Sequence, residues 1–193
     1  MSDHEVPSPE LLRKLLRYEP ETGKLFWLPR TPDFFEPGKY SRNRRCAVWN
    51  ARYAHKEALA AKHGNGYLSG ALFDQRMFSH RAIWAIQTGN WPTLQIDHID
   101  GDRANNKWSN LRQASRSENM RNMRSHKGST SKYLGVSWGA RDKKWVACIW
   151  TNGQRVSLGS HANEIDAAIA YDKAAAQYHG SFANLNFSTS TVS

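Results

Sequence analysis

The chain has 193 residues, of which 39% are hydrophobic and 23% are charged, and its formal net charge is +10. No apolar run approaches the roughly 20 residues that a membrane-spanning helix needs, and the N-terminus has no signal-peptide pattern. We therefore expect a cytoplasmic protein without a targeting signal or a membrane partner. Cys46 and Cys148 lie far apart without CxxC spacing, so we expect neither a structural zinc site nor a disulfide framework.

The positive charge is clustered along the chain and is interleaved with eight tryptophans. Basic clusters beside aromatic side chains are typical of surfaces that bind nucleic acid. Solubility alone is the simpler explanation of a basic composition. Charge by itself also does not distinguish DNA from RNA or from an anionic membrane.

The N-terminal region, residues 1–79, gives the weakest signals. The leucine spacing of residues 9–18 predicts a helix, and KLFWLPR after Gly23 predicts a strand. Residues 31–66 are rich in Pro, Gly, Asn and Arg, which favours loops and short strands. The sequence leaves open whether the arginines of this segment grip DNA or only form surface; they are Arg42, Arg44, Arg45 and Arg52.

From Gly66 onward the pattern is clearer. YLSGALF and RMFSH predict paired strands, and RAIWAIQTG predicts a helix that ends at Gly89. QIDHI has the alternation of a strand, which sends Asp97 and His98 to opposite faces unless a bulge intervenes. A turn-rich loop, DGDRANN, leads to a second extended segment, KWSNLRQ, in which Asn105 and Asn106 are interpreted as turn residues.

A helix is expected to follow this pair of strands. Ser115 and Glu118 have the spacing of a capping box, which places Asn119 in the first turn. A basic linker, residues 123–131, comes next and is interpreted as a phosphate tether. The basic residues of the linker and its flanks that are expected to contact DNA are Arg121, Arg124, Lys127 and Lys132.

The C-terminal region, residues 132–187, has the pattern of a small sheet with one helix, followed by a tail at 188–193. YLGVSWG, KWVACIW and QRVSLGS predict three antiparallel strands, and Asn152-Gly153 predicts a tight hairpin turn. Residues 163–179 predict an alanine-rich helix that packs on the sheet. Its packing face is expected to contain Ile165, Ala168, Ile169, Tyr171 and Ala175.

The segment at 94–119 combines residue types that hydrolysis of a phosphodiester requires. A cation must neutralise the developing charge, and Mg²⁺ accepts carboxylate and amide oxygens as ligands. A histidine with a pKa near neutrality is suited to take a proton from water. Asp100 and Asp102 are expected to cap the loop rather than to bind an ion, and His80 is interpreted as structural, with a place near the site as the alternative.

Asp97-His98, Asn110 and Asn119 resemble the motif of HNH endonucleases of the phage and intron-homing type, over residues 80–122. The resemblance implies a ββα-metal fold in which Asp97 and Asn119 bind Mg²⁺, with Mn²⁺ as the alternative. It implies that His98 is the general base and that Asn110 completes the catalytic group by bracing the hairpin. In the implied reaction the ion bridges the scissile phosphate and the leaving oxygen, and the products carry 5'-phosphate and 3'-hydroxyl ends.

The words YLGV, WVACI, LG, AA, AYD and NLNF, over about 130–187, resemble the DNA-binding domain of plant Apetala and ethylene-response-factor proteins. The resemblance implies that the open sheet face reads double-stranded DNA, and Arg155 and Tyr171 match contact positions of that family. Trp150 stands where the plant domains usually have arginine, so their target should not be assumed. Trp138, Arg141 and Lys144 are the expected compensating contacts, although Trp138 and Trp150 could instead cover apolar surface.

Together these patterns predict an α+β protein, with a mixed N-terminal region containing the HNH finger and a three-stranded antiparallel sheet packed on one helix. The expected function is site-specific, metal-dependent DNA cleavage by a phage or mobile-element homing enzyme, as a monomer or a homodimer, in a prokaryotic or phage-infected cell. The main alternative is a non-catalytic transcription regulator with a vestigial HNH fold. A weaker alternative makes the C-terminal sheet a protein-assembly module.

Overall fold

The structure is a computed structural model that describes residues 6–121 and 129–187. The chain forms two compact units, residues 1–113 and 114–193. Each has its own hydrophobic core, and the fold class is α+β, which confirms the expectation from the sequence. In the described part of the chain, no helix is both long and apolar enough to cross a bilayer.

The first unit begins with helix α1, Pro9–Leu15, which the Ser8 side chain caps by accepting a hydrogen bond from the Leu11 amide. The predicted helix at 9–18 is too long, because Leu16 is already extended and opens a strand. The Leu16–Trp27 register lets this strand pair with its successor in a hairpin. The resulting antiparallel sheet contains β1 Leu16–Glu19, β2 Lys24–Trp27 and β3 Glu57–Ala58.

Between β2 and β3 lies helix α2, Arg42–Tyr53, where loops and short strands were predicted. That prediction was wrong. The inward positions Cys46, Trp49, Asn50 and Tyr53 do follow the i, i+3, i+4, i+7 spacing of a helix. The spacing is hard to recognise because these positions hold a cysteine and an asparagine rather than aliphatic residues.

A second antiparallel sheet and a helix follow, as predicted. The helix α3, Ser79–Thr88, starts directly after the sheet and ends at Gly89, which adopts the left-handed conformation with φ of 76°. Glycine takes this conformation without the steric cost that a Cβ imposes. The sheet consists of β4 Ala61–Lys62, β5 Leu68–Leu72 and β6 Gln75–Phe78.

The last strands of this region are β7, Gln95–His98, and β8, Leu111–Ala114, which pair with each other. Residues before and after position 80 contribute to the core of the first unit. Helix α1 and strand β2 contribute Leu12, Leu15 and Leu25, while α3 and β7 contribute Ile83 and Ile96. The N-terminal region therefore packs into the same core that positions β7.

The second unit begins with the short helix α4, Arg116–Arg121. The Ser115 amide donates to Glu118 Oε2 at 2.7 Å, and the Glu118 amide donates to Ser115 Oγ at 3.3 Å. These reciprocal bonds confirm the predicted capping box.

The predicted sheet packed on one helix follows in the described part of the second unit. Helix α5, Glu164–His179, is capped by Asn163. The helix face was partly mispredicted, because Ile165 and Ile169 are 53% and 40% exposed, whereas Ala167, Ala168, Tyr171, Ala174 and Ala175 are buried. Small alanines let the helix approach the strands closely, which leaves the larger isoleucines outside. The antiparallel strands are β9 Val136–Gly139, β10 Lys144–Thr151 and β11 Gln154–His161.

Candidate functional site

Asp97 lies on β7 and is 4% exposed. The guanidinium of Arg112, on the paired strand β8, donates to Asp97 Oδ2 from Nε at 2.9 Å and from Nη2 at 2.8 Å. A buried carboxylate requires such compensation, because desolvation of an unpaired charge is costly. The Arg112 guanidinium on β8 therefore pairs with Asp97, the predicted metal ligand, on β7.

His98 follows on β7 and is 3% exposed. Its Nε2 lies 2.9 Å from Oδ1 of Asn106, a side chain that is itself only 1% exposed. With Asn106 Oδ1 as the acceptor, the proton lies on Nε2 and Nδ1 is the basic nitrogen. The pair fixes the imidazole in the tautomer that a general base at Nδ1 needs.

The backbone around Asn106 is held by β1 and by the turn that follows it. The Tyr18 hydroxyl donates to the Asn106 carbonyl at 2.8 Å, and the Trp108 amide donates to the Pro20 carbonyl at 3.3 Å. A Cβ at Gly23 would lie 2.6 Å from the Asn106 carbonyl carbon, so only glycine allows this approach. Burial raises the pKa of Tyr18 to about 12, which keeps its hydroxyl protonated as a donor.

Aromatic rings surround His98. Its ring centroid lies 5.3 Å from that of His80 and 5.7 Å from that of Tyr67. Burial lowers the pKa of His98, although the hydrogen bond to Asn106 and the nearby carboxylates of the loop act in the opposite direction. Burial, aided by the neighbouring His98 and Arg81, lowers the pKa of His80 to about 3. Both imidazoles are therefore neutral near pH 7, and His80 lies beside the candidate base, the alternative that the sequence left open.

Asn110 joins the two sides of the loop between β7 and β8. Its Oδ1 accepts from the Asp100 amide at 3.0 Å, and its Nδ2 donates to Asp100 Oδ1 at 2.9 Å and to the Asn105 carbonyl at 2.8 Å. Burial alone would raise the pKa of Asp100, but bonds from Asn105, Asn110 and the Asp102 amide lower it overall. These contacts have the geometry of a brace, the role expected for Asn110, and they place Asp100 within the loop.

Asn119 lies in α4, in the second unit, with its amide donating to the Ser115 carbonyl at 2.9 Å. Among the described residues, no three His, Cys, Asp or Glu side chains are grouped as a metal site. The predicted ligands are instead one carboxylate and one amide, the hard oxygen donors that Mg²⁺ and Mn²⁺ accept alongside water and phosphate. The donor chemistry fits a divalent ion, and the roles of Asp97 and Asn119 stay predictions.

The C-terminal sheet exposes most of the expected DNA-binding side chains. Trp150 is 64% exposed and Trp138 is 41% exposed, whereas Tyr171 is only 7% exposed beneath the Gly135 backbone. Burial disfavours direct contact between Tyr171 and DNA. The remaining exposed candidates are Lys132, Arg141, Lys144 and Arg155. Arg124 and Lys127 lie outside the described residues, as does the side chain of Arg121.

Two residues of the first-unit site were not recognised from the sequence. Asn106 was interpreted as a turn residue, yet its buried side chain holds His98, and Arg112 was not singled out although it pairs with Asp97. Strand pairing could have identified Arg112, because β8 lies beside β7 and side chains on paired strands interact. The local sequence carries no comparable signal for Asn106, since its neighbour Asn105 does form a turn.

Comparison with known proteins agrees with this architecture. The family model described as HNH endonuclease matches residues 78–121, and the model described as AP2 domain matches residues 131–181. The chain therefore belongs to the HNH endonuclease family, as a member in which an AP2 domain accompanies the HNH domain. This confirms both resemblances seen in the sequence.

Individual relatives fall into two groups. Protein 3.8 of Escherichia phage T7 is 30% identical over 105 residues, which cover 54% of this chain and 86% of the phage protein. APETALA2-like protein 2 of Oryza sativa subsp. indica is 39% identical over 61 residues, 32% of this chain and 14% of the plant protein. AP2-like ethylene-responsive transcription factor TOE2 of Arabidopsis thaliana is 38% identical over 64 residues, 33% of this chain and 13% of that protein. The two domains indicate DNA as the partner.

Proposed function

We propose that this protein is a site-specific DNA endonuclease that hydrolyses phosphodiester bonds, with His98 as its general base. The observation that carries the proposal is the hydrogen bond between His98 Nε2 and Asn106 Oδ1, 2.9 Å long. With Oδ1 as the acceptor, the proton lies on Nε2, and we expect Nδ1 to accept a proton from water. The lowered pKa of His98 keeps this nitrogen in its basic form near neutral pH.

A divalent cation, Mg²⁺ or Mn²⁺, would be held by the Asp97 carboxylate and the Asn119 amide oxygen. When bound, such an ion supplies positive charge that stabilises the developing phosphorane and the leaving oxygen. The Asp97 carboxylate provides the negative charge that attracts it, and Arg112 orients that carboxylate from the neighbouring strand. Asn110 and Asp100 hydrogen-bond to each other and hold the loop between β7 and β8.

The second unit would supply DNA recognition. The exposed Trp150 and Arg155 face one another across paired strands, on a sheet surface that a DNA groove admits. Salt-dependent contacts to phosphates would give most of the affinity. Because the AP2 match and the exposed basic residues coincide here, this unit is the better candidate for the reader of the target sequence.

The biological setting that we propose is a phage or mobile-element homing enzyme acting in the cytoplasm of a prokaryotic or infected cell. Support comes from the likeness to a phage protein and from the homing-type Asn119 in the motif. We expect 5'-phosphate and 3'-hydroxyl products. One site per chain would nick DNA as a monomer or cut both strands as a homodimer.

The test is plasmid cleavage by the His98→Ala variant in the presence of Mg²⁺. We expect loss of turnover with little change in DNA binding, because the base contributes to the chemical step rather than to affinity. His55→Asn is the matched control, since His55 is exposed and its φ of 65° suits asparagine. Parental cleavage rates in the His98 variant would overturn the assignment.

A second function, non-catalytic DNA binding by a transcription regulator, is favoured by one observation. Arg112 already neutralises the buried carboxylate of Asp97, as it would in a purely structural centre. A cleavage assay with Mg²⁺ and Mn²⁺ across a random-site DNA library separates the two functions. Binding without cleavage under all these conditions would favour the regulator.

A further inference from the structure

Helix α2 is unusually basic for a surface helix. Residues 37–56 contain six Lys and Arg and no Asp or Glu, and all six basic side chains are exposed. Three of the arginines occupy the first turn, at positions 42, 44 and 45, where the helix dipole disfavours cations. Helices that only need solvation alternate opposite charges, which stabilise each other at i, i+4. This concentration of charge therefore opposes helix stability.

The inner face of α2 is fixed by contacts with Arg30. Asn50 Oδ1 accepts from the Arg30 amide at 2.8 Å, and Asn50 Nδ2 donates to the Arg30 carbonyl at 2.9 Å. The Arg30 guanidinium stacks 4.0 Å from the Trp49 ring centroid, and Trp49 packs edge-on against Trp27. These contacts set the rotation of the helix, so the opposite face is presented in one orientation.

That opposite face carries a stripe of arginines, which we call the α2 stripe: Arg44, Arg45 and Arg52, with Val48 between them. Val48 is 62% exposed. No carboxylate of the described residues lies within 4.0 Å of these three guanidinium groups, whereas Arg42 has Glu36 at 3.6 Å.

The three arginines retain donors for a ligand. The Arg44 guanidinium lies 4.4 Å from the Tyr40 ring centroid and that of Arg52 lies 5.3 Å from the Tyr53 ring, while Arg45 donates to a backbone carbonyl. A guanidinium next to a ring, or one bonded to a single carbonyl, keeps N–H groups that can bond phosphate oxygens or base edges.

We infer that the α2 stripe is a third DNA-contacting surface of the protein, in addition to the nuclease site and the C-terminal sheet. The partner is duplex DNA, because its phosphates supply the negative charge that the stripe lacks locally. A helix of 12 residues is about 18 Å long and fits the width and depth of a major groove. In such a groove the guanidinium groups suit contacts to phosphates. The exposed Val48 between them suits contact with thymine methyl groups.

The inference rests on DNA as the partner and not on cleavage, so binding in EDTA tests it. We compare the full-length protein with the triple variant Arg44→Gln, Arg45→Gln, Arg52→Gln, using a mixed-sequence duplex at several salt concentrations. Each lost phosphate contact reduces the slope of log K against log salt by about 0.9, so we expect a decrease of up to about 2.7. Circular dichroism verifies that the variant remains folded.

The matched control removes the same formal charge from another part of the first unit, through Lys14→Gln, Arg17→Gln and Lys24→Gln. Arg17 and Lys24 are exposed but paired with carboxylates at 2.5 and 3.2 Å. We expect a slope close to that of the parent. If the slope fell equally in both triple variants, net charge alone would explain the effect, and the inference would be overturned. It is also overturned if the α2 variant loses binding only to single-stranded RNA or to anionic vesicles.

Discussion

Asp97 and Arg112 form a buried ion pair in the first unit, and Asp97 is also the proposed metal ligand. The perturbation is Arg112→Met, which keeps the aliphatic volume of the side chain and removes its charge. Asp97 and Arg112 have side-chain exposures of 5% and 17%, so the change leaves a buried carboxylate without its cation. We expect a substantial loss of stability in the metal-free protein.

The size of the loss follows from the geometry. The Nη2–Oδ2 distance of 2.8 Å corresponds to charge centres about 4 Å apart, for which an effective dielectric constant of about 20 gives about 4 kcal/mol. Removal of one partner of a buried pair costs about 3–5 kcal/mol in other proteins. If Asp97 binds a divalent ion, Mg²⁺ should replace the missing positive charge and restore part of this loss.

The assay is urea unfolding, followed by tryptophan fluorescence, in EDTA and in Mg²⁺. The double variant Asp97→Asn, Arg112→Met is the control, because removal of both charges leaves no unpaired group and should cost less than the single change. Two results would refute the reasoning. The first is a loss of less than about 1 kcal/mol in the free energy of unfolding of Arg112→Met in EDTA. The second is an equal loss with and without Mg²⁺, which would show that Asp97 does not bind the ion.

Three further predictions concern other sites. The pKa of His80 is about 3 in the folded protein, below its ordinary value of 6.5. As the pH falls, the unfolded chain therefore binds this proton before the folded protein does. The stability that neutral His80 contributes is fully present above pH 6.5 and declines toward pH 3. At pH 5 the decline is about 2 kcal/mol, and His80→Phe should remove it in urea titrations at pH 7 and 5. Asn106→Ala should slow cleavage about 10-fold or more without weakening DNA binding, whereas Asn106→Asp, which keeps an acceptor for the imidazole N–H, should retain more activity. Trp150→Ala should weaken DNA binding in a gel shift without a change in stability. Trp145→Ala, at a half-buried site in the core of the sheet, should lower the free energy of unfolding by about 3 kcal/mol. The reverse pattern would contradict the assigned faces of the sheet.

The sequence predicted those features that local pattern determines. The capping box at Ser115, the helix end at Gly89 and the Asn152-Gly153 hairpin each depend on a few adjacent residues, and each was confirmed. Both family resemblances were also confirmed, because they rest on motifs with fixed spacing. The metal ligands and the DNA contacts stay predictions.

The features that the sequence did not reveal depend on distant parts of the chain. Asn106 has the same side chain as Asn105, but it is buried against His98, and residues 18–23 hold the backbone beside it. Helix α2 is stabilised by Arg30 rather than by an aliphatic stripe. Tyr171 matched a surface position by family resemblance, yet the alanines around it let α5 approach until the ring packed under Gly135.

The close approach of Gly23 to the Asn106 backbone has a consequence for how the protein evolves and is dissected. A nuclease segment excised at residue 80 would retain every motif residue but lose the turn that supports the partner of His98. Recombination that exchanges the motif between relatives should therefore succeed only when the hairpin at residues 16–27 travels with it. Among relatives, we expect a side chain at position 23 to appear only together with a rebuilt loop at 106–107.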